Sequence, residues 1–161
     1  APDMEVFSKA INSGMYPLSV LALKNEVSEK YEVGTYGNTM CANPKALDIG
    51  FETLNRLDKN VSKNIVKQGN NFVDMLNSLK KSYPDVIEEV TGTGLLIAAH
   101  INKKYAVVGE NGLEISCRKR GLNVIHGGEN ALRFTPYFLI NENEITLIKH
   151  ILKDVFDDVC I

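Results

Sequence analysis

A helical pattern that runs from residue 43 to about residue 81 constrains the fold of this 161-residue chain more than any other feature. It begins at Asn43-Pro44, where asparagine suits the N-cap and proline suits the first helical position. Apolar side chains then recur at helical spacing, namely Leu47, Phe51, Leu54, Leu57, Ile65, Phe72, Leu76 and Leu79. Because the segment is longer than an ordinary globular helix, we predict a break near residues 58–61 or one long connecting helix.

Strands and shorter helices are predicted on both sides of this segment. Before it, residues 17–23 are short and apolar, which predicts a buried strand, and residues 25–31 predict a short helix. After Pro84 the pattern predicts strands over 86–90 and 95–101, a helix over 112–120, strands over 122–125 and 131–134, and a helix over 143–159. Asn141 and Glu144 form a capping-box pattern ahead of the last helix. This order of elements indicates a two-layer α/β (α+β) domain.

The composition argues against several function classes. The formal net charge is −2, which provides no electrostatic attraction to nucleic acid or to an anionic membrane surface. No apolar run approaches the roughly 20 residues that span a bilayer. Cys41, Cys117 and Cys160 are odd in number and far apart, which indicates a reducing compartment rather than a disulfide framework. Neither these cysteines nor the three histidines show metal-ligand spacing, so we expect no structural metal.

Three segments carry candidate functional residues. Lys9 stands between an apolar segment and a glycine turn, where it is either a surface lysine or a lysine at a strand end facing a cleft. The loop over residues 34–44 is rich in side-chain and backbone donors and leads into a helix N-terminus, so it is either an ordinary loop or an anion site. Arg133 lies in an apolar strand and pairs either with an intrachain carboxylate or with the carboxylate of a ligand.

Four motifs, taken in order, resemble those of one family. They are Pro2-Asp3 with Lys9 and Gly14-x-Tyr16-Pro17-x-Ser19; Gly34-x-x-Gly37-x-Thr39-x-x-x-Asn43-Pro44; Gly92-x-Gly94-Leu95; and Leu132-Arg133-Phe134-x-Pro136. The set is similar to the motifs of class III aminotransferases, the group that contains ornithine, acetylornithine and 4-aminobutyrate aminotransferases. The resemblance covers essentially the whole chain. It departs from the family pattern at Ser13, Cys41-Ala42, Thr91 and Tyr137, none of which removes a chemical group that the cofactor requires.

The resemblance implies a fold-type-I enzyme that uses pyridoxal 5′-phosphate (PLP) to transfer an amino group between an amino acid or ω-amine and a 2-oxo acid. Lys9 stands at the family's Schiff-base lysine, which binds the cofactor and moves the proton of the substrate Cα. Thr39 stands at the threonine that reaches the phosphate of the partner subunit's PLP, which implies a homodimer with its active site at the subunit interface. Arg133 stands at the arginine that binds the substrate α-carboxylate.

The resemblance also implies how the chain is divided. Residues 1–58 match the end of the PLP-binding large domain, with the cofactor lysine and the phosphate loop. Residues 59–161 match the connecting helix and the C-terminal small α/β domain. In this family the aspartate that pairs with the pyridine nitrogen, the first phosphate loop and the ring-stacking residue all precede the lysine. We therefore expect this chain to be part of a longer protein, inactive by itself, and located in the cytoplasm or in mitochondria.

Two other functions stay open at this point. A PLP-dependent aminomutase or decarboxylase of the same fold shares the lysine segment. A non-catalytic α/β binding module would carry Lys9 and Arg133 as ordinary surface or ion-paired residues. The sequence does not define the amino donor or the acceptor.

Overall fold

The computed structural model describes residues 2–35, 37–39 and 41–160. The chain divides into two compact units, Ala1–Asp58 and Lys59–Ile161. Each unit mixes helices with a small antiparallel sheet, which confirms the α/β (α+β) class expected from the order of elements. None of the described helices is both long enough and apolar enough to cross a membrane.

The first unit contains a two-stranded ribbon and a long helix. Strand β1 (Met4–Ser8) pairs antiparallel with β2 (Ser19–Leu23), in a register that runs from Met4 opposite Leu23 to Ser8 opposite Ser19. A short 3-10 helix (Lys9–Asn12) lies between the strands, and α1 (Asn25–Ser28) follows them. Helix α2 (Pro44–Arg56) closes the unit. Its N-cap prediction is confirmed, because Asn43 Oδ1 accepts a hydrogen bond from the Ala46 N–H at 3.3 Å.

Burial in this unit differs from the prediction. Strand β2 forms as expected, but its side chains are exposed except for a half-buried Leu23, so the prediction of a buried strand is wrong. The apolar stripe of α2 is also exposed, at Leu47, Phe51, Leu54 and Leu57. The physical reason is that a two-stranded ribbon has no second layer of its own, and such a ribbon is marginal without one. The strand and the helical period are predicted correctly, whereas burial depends on what covers each face.

The second unit holds the hydrophobic core. Helix α3 (Lys59–Ser82) begins three residues after α2 ends, so the predicted break near residues 58–61 is confirmed. The remaining elements are β3 (Ile87–Thr93), β4 (Leu96–Ile101), α4 (Leu113–Lys119), β5 (Ile125–Gly127), β6 (Ala131–Phe134) and α5 (Glu142–Val159). The four strands form one antiparallel sheet in the order β3-β4-β6-β5. The capping box at Asn141 and Glu144 is present at the start of α5.

The two faces of the four-stranded sheet differ in burial. One face supplies Ile97, Ala99, Ile101, Leu132 and Phe134 to the core, together with apolar residues of α3 and α5. The opposite face carries Ala98 of β4, Arg133 of β6 and Ile125 of β5, which lie side by side across the three strands. Arg133 on this second face is exposed. An antiparallel sheet with one covered face and one open face is a common arrangement, and here it presents Arg133 outward.

Strand β5 begins three residues later than predicted. The Gly121 backbone is left-handed, with φ at 84°, and its N–H donates to Arg118 O at 3.0 Å. The Leu122 N–H donates to Cys117 O at 3.0 Å. These two bonds form a Schellman motif that ends α4. Because the cap uses the backbone of residue 122, the strand starts only at Ile125.

Candidate active site

Lys9 lies directly after strand β1, in a strained backbone conformation. Its φ is 58°, in the left-handed region that non-glycine residues rarely adopt. Ser13 has a φ of 57°, and the Gly14 N–H donates to Lys9 O at 3.3 Å, so the chain reverses within a few residues. Such strain persists only where the surroundings hold it, and it concentrates at functional sites. Among the described residues, no hydrogen bond or ion pair engages the Lys9 ammonium.

The turn that carries Lys9 packs onto helix α2. Gly50 of α2 gives the space: a Cβ atom there would lie 3.0 Å from Leu18 Cδ2 and 3.9 Å from Asn12 Cβ. The Ser13 hydroxyl lies 3.2 Å from the hydroxyl of Thr53, which in turn donates to Ile49 O. The lysine therefore projects from a turn that is fixed against a helix rather than from a free loop.

Asn12 is a polar residue of this turn that the sequence analysis missed. Its side chain is fully buried, and its Nδ2 donates to Tyr16 O at 2.8 Å. Its Oδ1 is buried and has no hydrogen-bond partner among the described residues. An asparagine three residues after a lysine carries no recognisable sequence signal, so its burial emerges only from the packing of the turn on α2.

Thr39 lies in the loop that leads to the N-terminus of α2, in the same unit as Lys9. Two residues of this loop predicted to bind an anion, Tyr36 and Met40, lie outside the described residues. Thr39 itself is exposed, and the Cys41 N–H donates to Asn38 O at 3.0 Å in the turn around it. The loop thus presents a hydroxyl to solvent a few residues before a helix N-terminus, an arrangement that suits an anionic group.

Arg133 lies in the second unit, in the inner strand β6, with Ala98 on one side and Ile125 on the other. Its side chain borders a cavity of about 220 Å³, whose walls include Leu122, Asn123, Thr135 and Pro136. Apolar residues form most of the walls, and Asn123 and Thr135 add polar groups. A cationic fork at the edge of a mostly apolar cavity suits an organic carboxylate.

Arg133 is distinguished from its neighbours by having no partner among the described residues. Arg118 forms an ion pair with Glu114 at 2.6 Å, and Arg120 forms one with Asp158. Of the two readings left open for Arg133, an intrachain ion pair is therefore absent from the described part of the chain. The guanidinium is available to a ligand.

Gly127 is a second residue that the sequence analysis did not assign to the site. It ends strand β5, and of the two adjacent glycines only Gly128 has a left-handed backbone, with φ at 54°. A Cβ atom on Gly127 would lie 3.3 Å from Arg133 Cβ and 3.5 Å from Arg133 Cδ. The residue therefore lies against the stem of Arg133, a contact that no local pattern indicates.

No group of three or more histidine, cysteine, aspartate or glutamate side chains that could hold a metal ion occurs among residues 2–35, 37–39 and 41–160. All three cysteines are free; Cys117 is buried, and Cys41 and Cys160 are exposed. Burial raises the pKa of the Cys117 thiol to about 11, so this side chain behaves as a small apolar residue of the core.

Comparison with known proteins gives a consistent result. The model of the family described as aminotransferase class-III matches residues 1–156. The chain is 30% identical, over 161 residues, to the mitochondrial acetylornithine aminotransferase of Neurospora crassa, covering 99% of this chain and 34% of that protein. It is 29% identical, over 158 residues, to the mitochondrial acetylornithine aminotransferase of Yarrowia lipolytica, covering 98% of this chain and 37% of that protein.

A solved structure extends the similarity to the fold. The acetylornithine aminotransferase of Elizabethkingia anophelis superposes with a TM-score of 0.87 at 27% identity, covering 98% of this chain and 41% of that one. This chain therefore spans 34–41% of the length of these three proteins.

Proposed function

Because this chain belongs to the class III aminotransferase family, we propose that it is the C-terminal part of a PLP-dependent aminotransferase in which Lys9 is the lysine that binds the cofactor. The proposed reaction transfers an amino group from an amino acid or ω-amine to a 2-oxo acid. Unit Ala1–Asp58 then contributes the end of the cofactor-binding domain, and unit Lys59–Ile161 contributes the connecting helix and the small domain. The chain by itself is expected to be inactive.

The observation that carries the proposal is the conformation of Lys9. The lysine matches the family motif and follows a strand, and its backbone has a φ of 58°. A left-handed lysine costs of the order of 1–2 kcal/mol, and the turn is held in place by the contacts of Gly50 and Asn12 described above. A surface lysine without a function has no need of this conformation. An amine held at a fixed position is what a covalently attached cofactor requires.

The side chains present fit PLP chemically. The cofactor offers an aldehyde and a phosphate, and this unit offers a primary amine without a partner among the described residues and a hydroxyl ahead of a helix N-terminus. When bound, PLP supplies the electron sink that stabilises a carbanion at the substrate Cα. Lys9 Nζ would carry the proton removed from that carbon, and Thr39 Oγ1 would donate to a phosphate oxygen of the cofactor bound by the partner subunit.

Arg133 would orient the substrate. Its planar fork binds a carboxylate through two parallel hydrogen bonds, which fixes both the position and the tilt of the bound amino acid. The absence of a competing ion pair among the described residues supports this role. Orientation matters because the Cα–H bond must be aligned with the cofactor's π-system before the proton is transferred.

The family motif at Thr39 supports a homodimer in which this threonine reaches the partner subunit's cofactor. The amino donor and acceptor are proposed only as classes, an amine-bearing acid and a 2-oxo acid. A reducing compartment suits three free cysteines. We propose the cytoplasm or the mitochondrion, and the mitochondrial names of the two fungal relatives support the latter.

Borohydride trapping tests the function. The full-length protein is incubated with PLP, reduced with borohydride, digested and analysed by mass spectrometry. A pyridoxyl group on Lys9, absent from Lys9→Ala and present in the control Lys30→Ala, would support the proposal. No adduct at Lys9 with PLP in excess would favour a non-catalytic module. Formation of a 2-oxo acid from candidate donors then separates a transaminase from an aminomutase or a decarboxylase.

A further inference from the structure

Gly127 and Arg133 lie much closer than their positions in the sheet require. Gly127 of β5 pairs with Ala131, and Arg133 pairs with Ile125, so Gly127 and Arg133 are diagonal neighbours. Diagonal neighbours in an antiparallel pair usually lie roughly 7 Å apart. Here a Cβ atom on Gly127 would be 3.3 Å from Arg133 Cβ, 3.5 Å from Cδ and 3.9 Å from Cγ. The stem of the arginine therefore lies across the glycine.

The contact is specific to the arginine stem. Apart from its own chain neighbours, the three atoms nearest to a Cβ on Gly127 are Cβ, Cδ and Cγ of Arg133, all in the aliphatic stem. The glycine backbone is not in the left-handed region, so an alanine is conformationally allowed there. Backbone strain is thus no reason for glycine at position 127. The reason that the geometry offers is the space that the arginine occupies.

Gly128 provides the contrast. It is the next residue and also a glycine, but its φ is 54° and a Cβ atom there would meet nothing within 4 Å. Glycine at 128 satisfies the turn, and glycine at 127 leaves room for Arg133. Two adjacent glycines therefore have separate roles, and substituting them gives separate effects.

We propose that Gly127 is a positioning residue for the substrate carboxylate. By leaving the space across which the Arg133 stem lies, it sets the place from which the guanidinium approaches its ligand. This inference rests on the proposed function of Arg133 as the carboxylate-binding group. An alanine at 127 shifts the stem by a few tenths of an ångström, and the shift increases along the side chain toward the guanidinium.

The experiment measures carboxylate binding and stability separately. Glutarate binding to the full-length protein is measured by isothermal titration calorimetry for the wild type, Gly127→Ala, Gly128→Ala and Arg133→Ala, and Tm is measured for each. Gly127→Ala is expected to raise the Kd for glutarate roughly three- to tenfold, since small misplacements of a binding group are costly. Its Tm stays at or above the wild-type value, because alanine is favoured over glycine in a strand. Gly128→Ala lowers Tm through its left-handed backbone and leaves the Kd unchanged.

The outcomes distinguish the inference from the function on which it rests. If Arg133→Ala binds glutarate as the wild type does, the proposed role of Arg133 is wrong. If Arg133→Ala loses binding but Gly127→Ala keeps the wild-type Kd, only the role of Gly127 is wrong. An equal rise in the Kd for glutarate in Gly128→Ala would also overturn that role. It would mean that binding depends on an intact β5–β6 hairpin and not on the space at position 127.

A double variant covers the case in which Gly127→Ala does not fold. In Gly127→Ala/Arg133→Gly the Cβ, Cγ and Cδ contacts are all removed, so the double variant is expected to fold and to have the Tm of Arg133→Gly. A double variant that also fails to fold would show that the arginine stem is not what the glycine accommodates, and the inference would fall. In steady-state assays Gly127→Ala should change KM for carboxylate donors more than KM for amines that lack a carboxylate.

Discussion

A Cβ atom on Gly69 of α3 would lie 2.3 Å from the carbonyl oxygen of Gly94 in the β3–β4 turn. Helix and turn therefore touch backbone to backbone, and neither position has room for a side chain. Gly94 also has a left-handed backbone, with φ at 56°, and a Cβ there would meet Ile65 Cγ2 at 3.0 Å. Gly94 of the Gly92-x-Gly94 motif is thus required for the close packing of the β3–β4 turn against α3.

Gly69→Ala should therefore destabilise the second unit strongly. In an exposed helix the same change would raise the free energy of unfolding by about 1 kcal/mol. A decrease would therefore be evidence for the backbone contact between Gly69 and Gly94. Forcing α3 away from the turn costs roughly 3 kcal/mol or more. Urea unfolding followed by circular dichroism measures the free energy of unfolding. The control is Asn70→Ala, on the exposed side of the same helical turn, which should leave that free energy unchanged or slightly higher. A stable Gly69→Ala variant would contradict the close packing.

Asn130 organises the loop that leads into α4. Its Nδ2 donates to Ile101 O at 3.0 Å, to Asn102 O at 3.3 Å and to Tyr105 O at 3.0 Å, and its Oδ1 accepts from the Val107 N–H at 3.1 Å. One amide thus satisfies four backbone groups of a segment that has no regular structure. Asn130→Ala leaves those groups without partners, which should lower the free energy of unfolding by about 2–4 kcal/mol. Hydrogen exchange should also accelerate at residue 107.

The matched control for this prediction is Asn111→Ala, an exposed asparagine of the same loop region. It should change the free energy of unfolding by less than about 0.5 kcal/mol. Asn130→Asp keeps the acceptor for Val107 but loses the donors and places a charge beside three carbonyl oxygens, so it should be at least as unstable as the alanine variant. If both Asn130 variants match the wild type, the loop is held by other contacts.

Tyr83 predicts how stability responds to alkaline pH. Burial of the phenol and a hydrogen bond from its hydroxyl to Asp157 at 2.5 Å raise the pKa of Tyr83 to about 12, from an ordinary value of 10.0. The raised pKa means that the folded state favours the protonated phenol. This contribution is fully present below pH 10 and is lost as the pH rises toward 12. Because the phenol is only partly buried, the prediction concerns the direction of the change in stability and its pH window.

The test compares the wild type with Tyr83→Phe in urea unfolding at several pH values between 8 and about 12. The difference in stability between the two proteins should shrink as the pH rises through this window, since only the wild type can lose the hydrogen-bonded proton. Tyr105→Phe serves as a control for a tyrosine without a carboxylate partner, and its difference from the wild type should not depend on pH in the same way. A constant difference for Tyr83→Phe would rule out the linkage.

The sequence predicted the elements better than their burial. Periodicity located α2, α3 and α5, and capping residues at Asn43 and Asn141 marked two helix starts, because these signals are local. The exposure of Val20 and Leu21 in β2 was not predictable, because burial of a strand depends on a second layer and not on its own residues. Strand β5 begins later than predicted because the backbone N–H of Leu122 takes part in the C-cap of α4. The spacing of apolar residues does not indicate whether a residue belongs to a helix cap or to a strand.

The candidate site likewise contains residues that the sequence identified and residues that only the structure revealed. Lys9, Thr39 and Arg133 were identified by ordered motifs, and their roles stay predictions that the trapping and binding experiments test. Asn12 and Gly127 could not be identified in this way. The burial of Asn12 results from the packing of its turn on α2. The contact of Gly127 results from the pairing of β5 with β6, which places the glycine against the Arg133 stem. Both depend on contacts between residues that no sequence period relates.

Arg133→Lys tests the orienting role by chemistry rather than by deletion. Lysine keeps the positive charge but loses the planar fork, so a carboxylate is held by one point contact and not by two parallel bonds. In the full-length protein, kcat/KM for donors with an α-carboxylate should fall on the order of 30- to 150-fold. This corresponds to a loss of about 2–3 kcal/mol of transition-state stabilisation. For a primary amine without a carboxylate it should change by less than about threefold, because that donor makes no use of the fork. Arg118→Lys, in an exposed ion pair with Glu114, is the matched control and should leave both ratios unchanged. Equal losses with both kinds of donor would mean that Arg133 supports the structure of the sheet and does not orient the substrate.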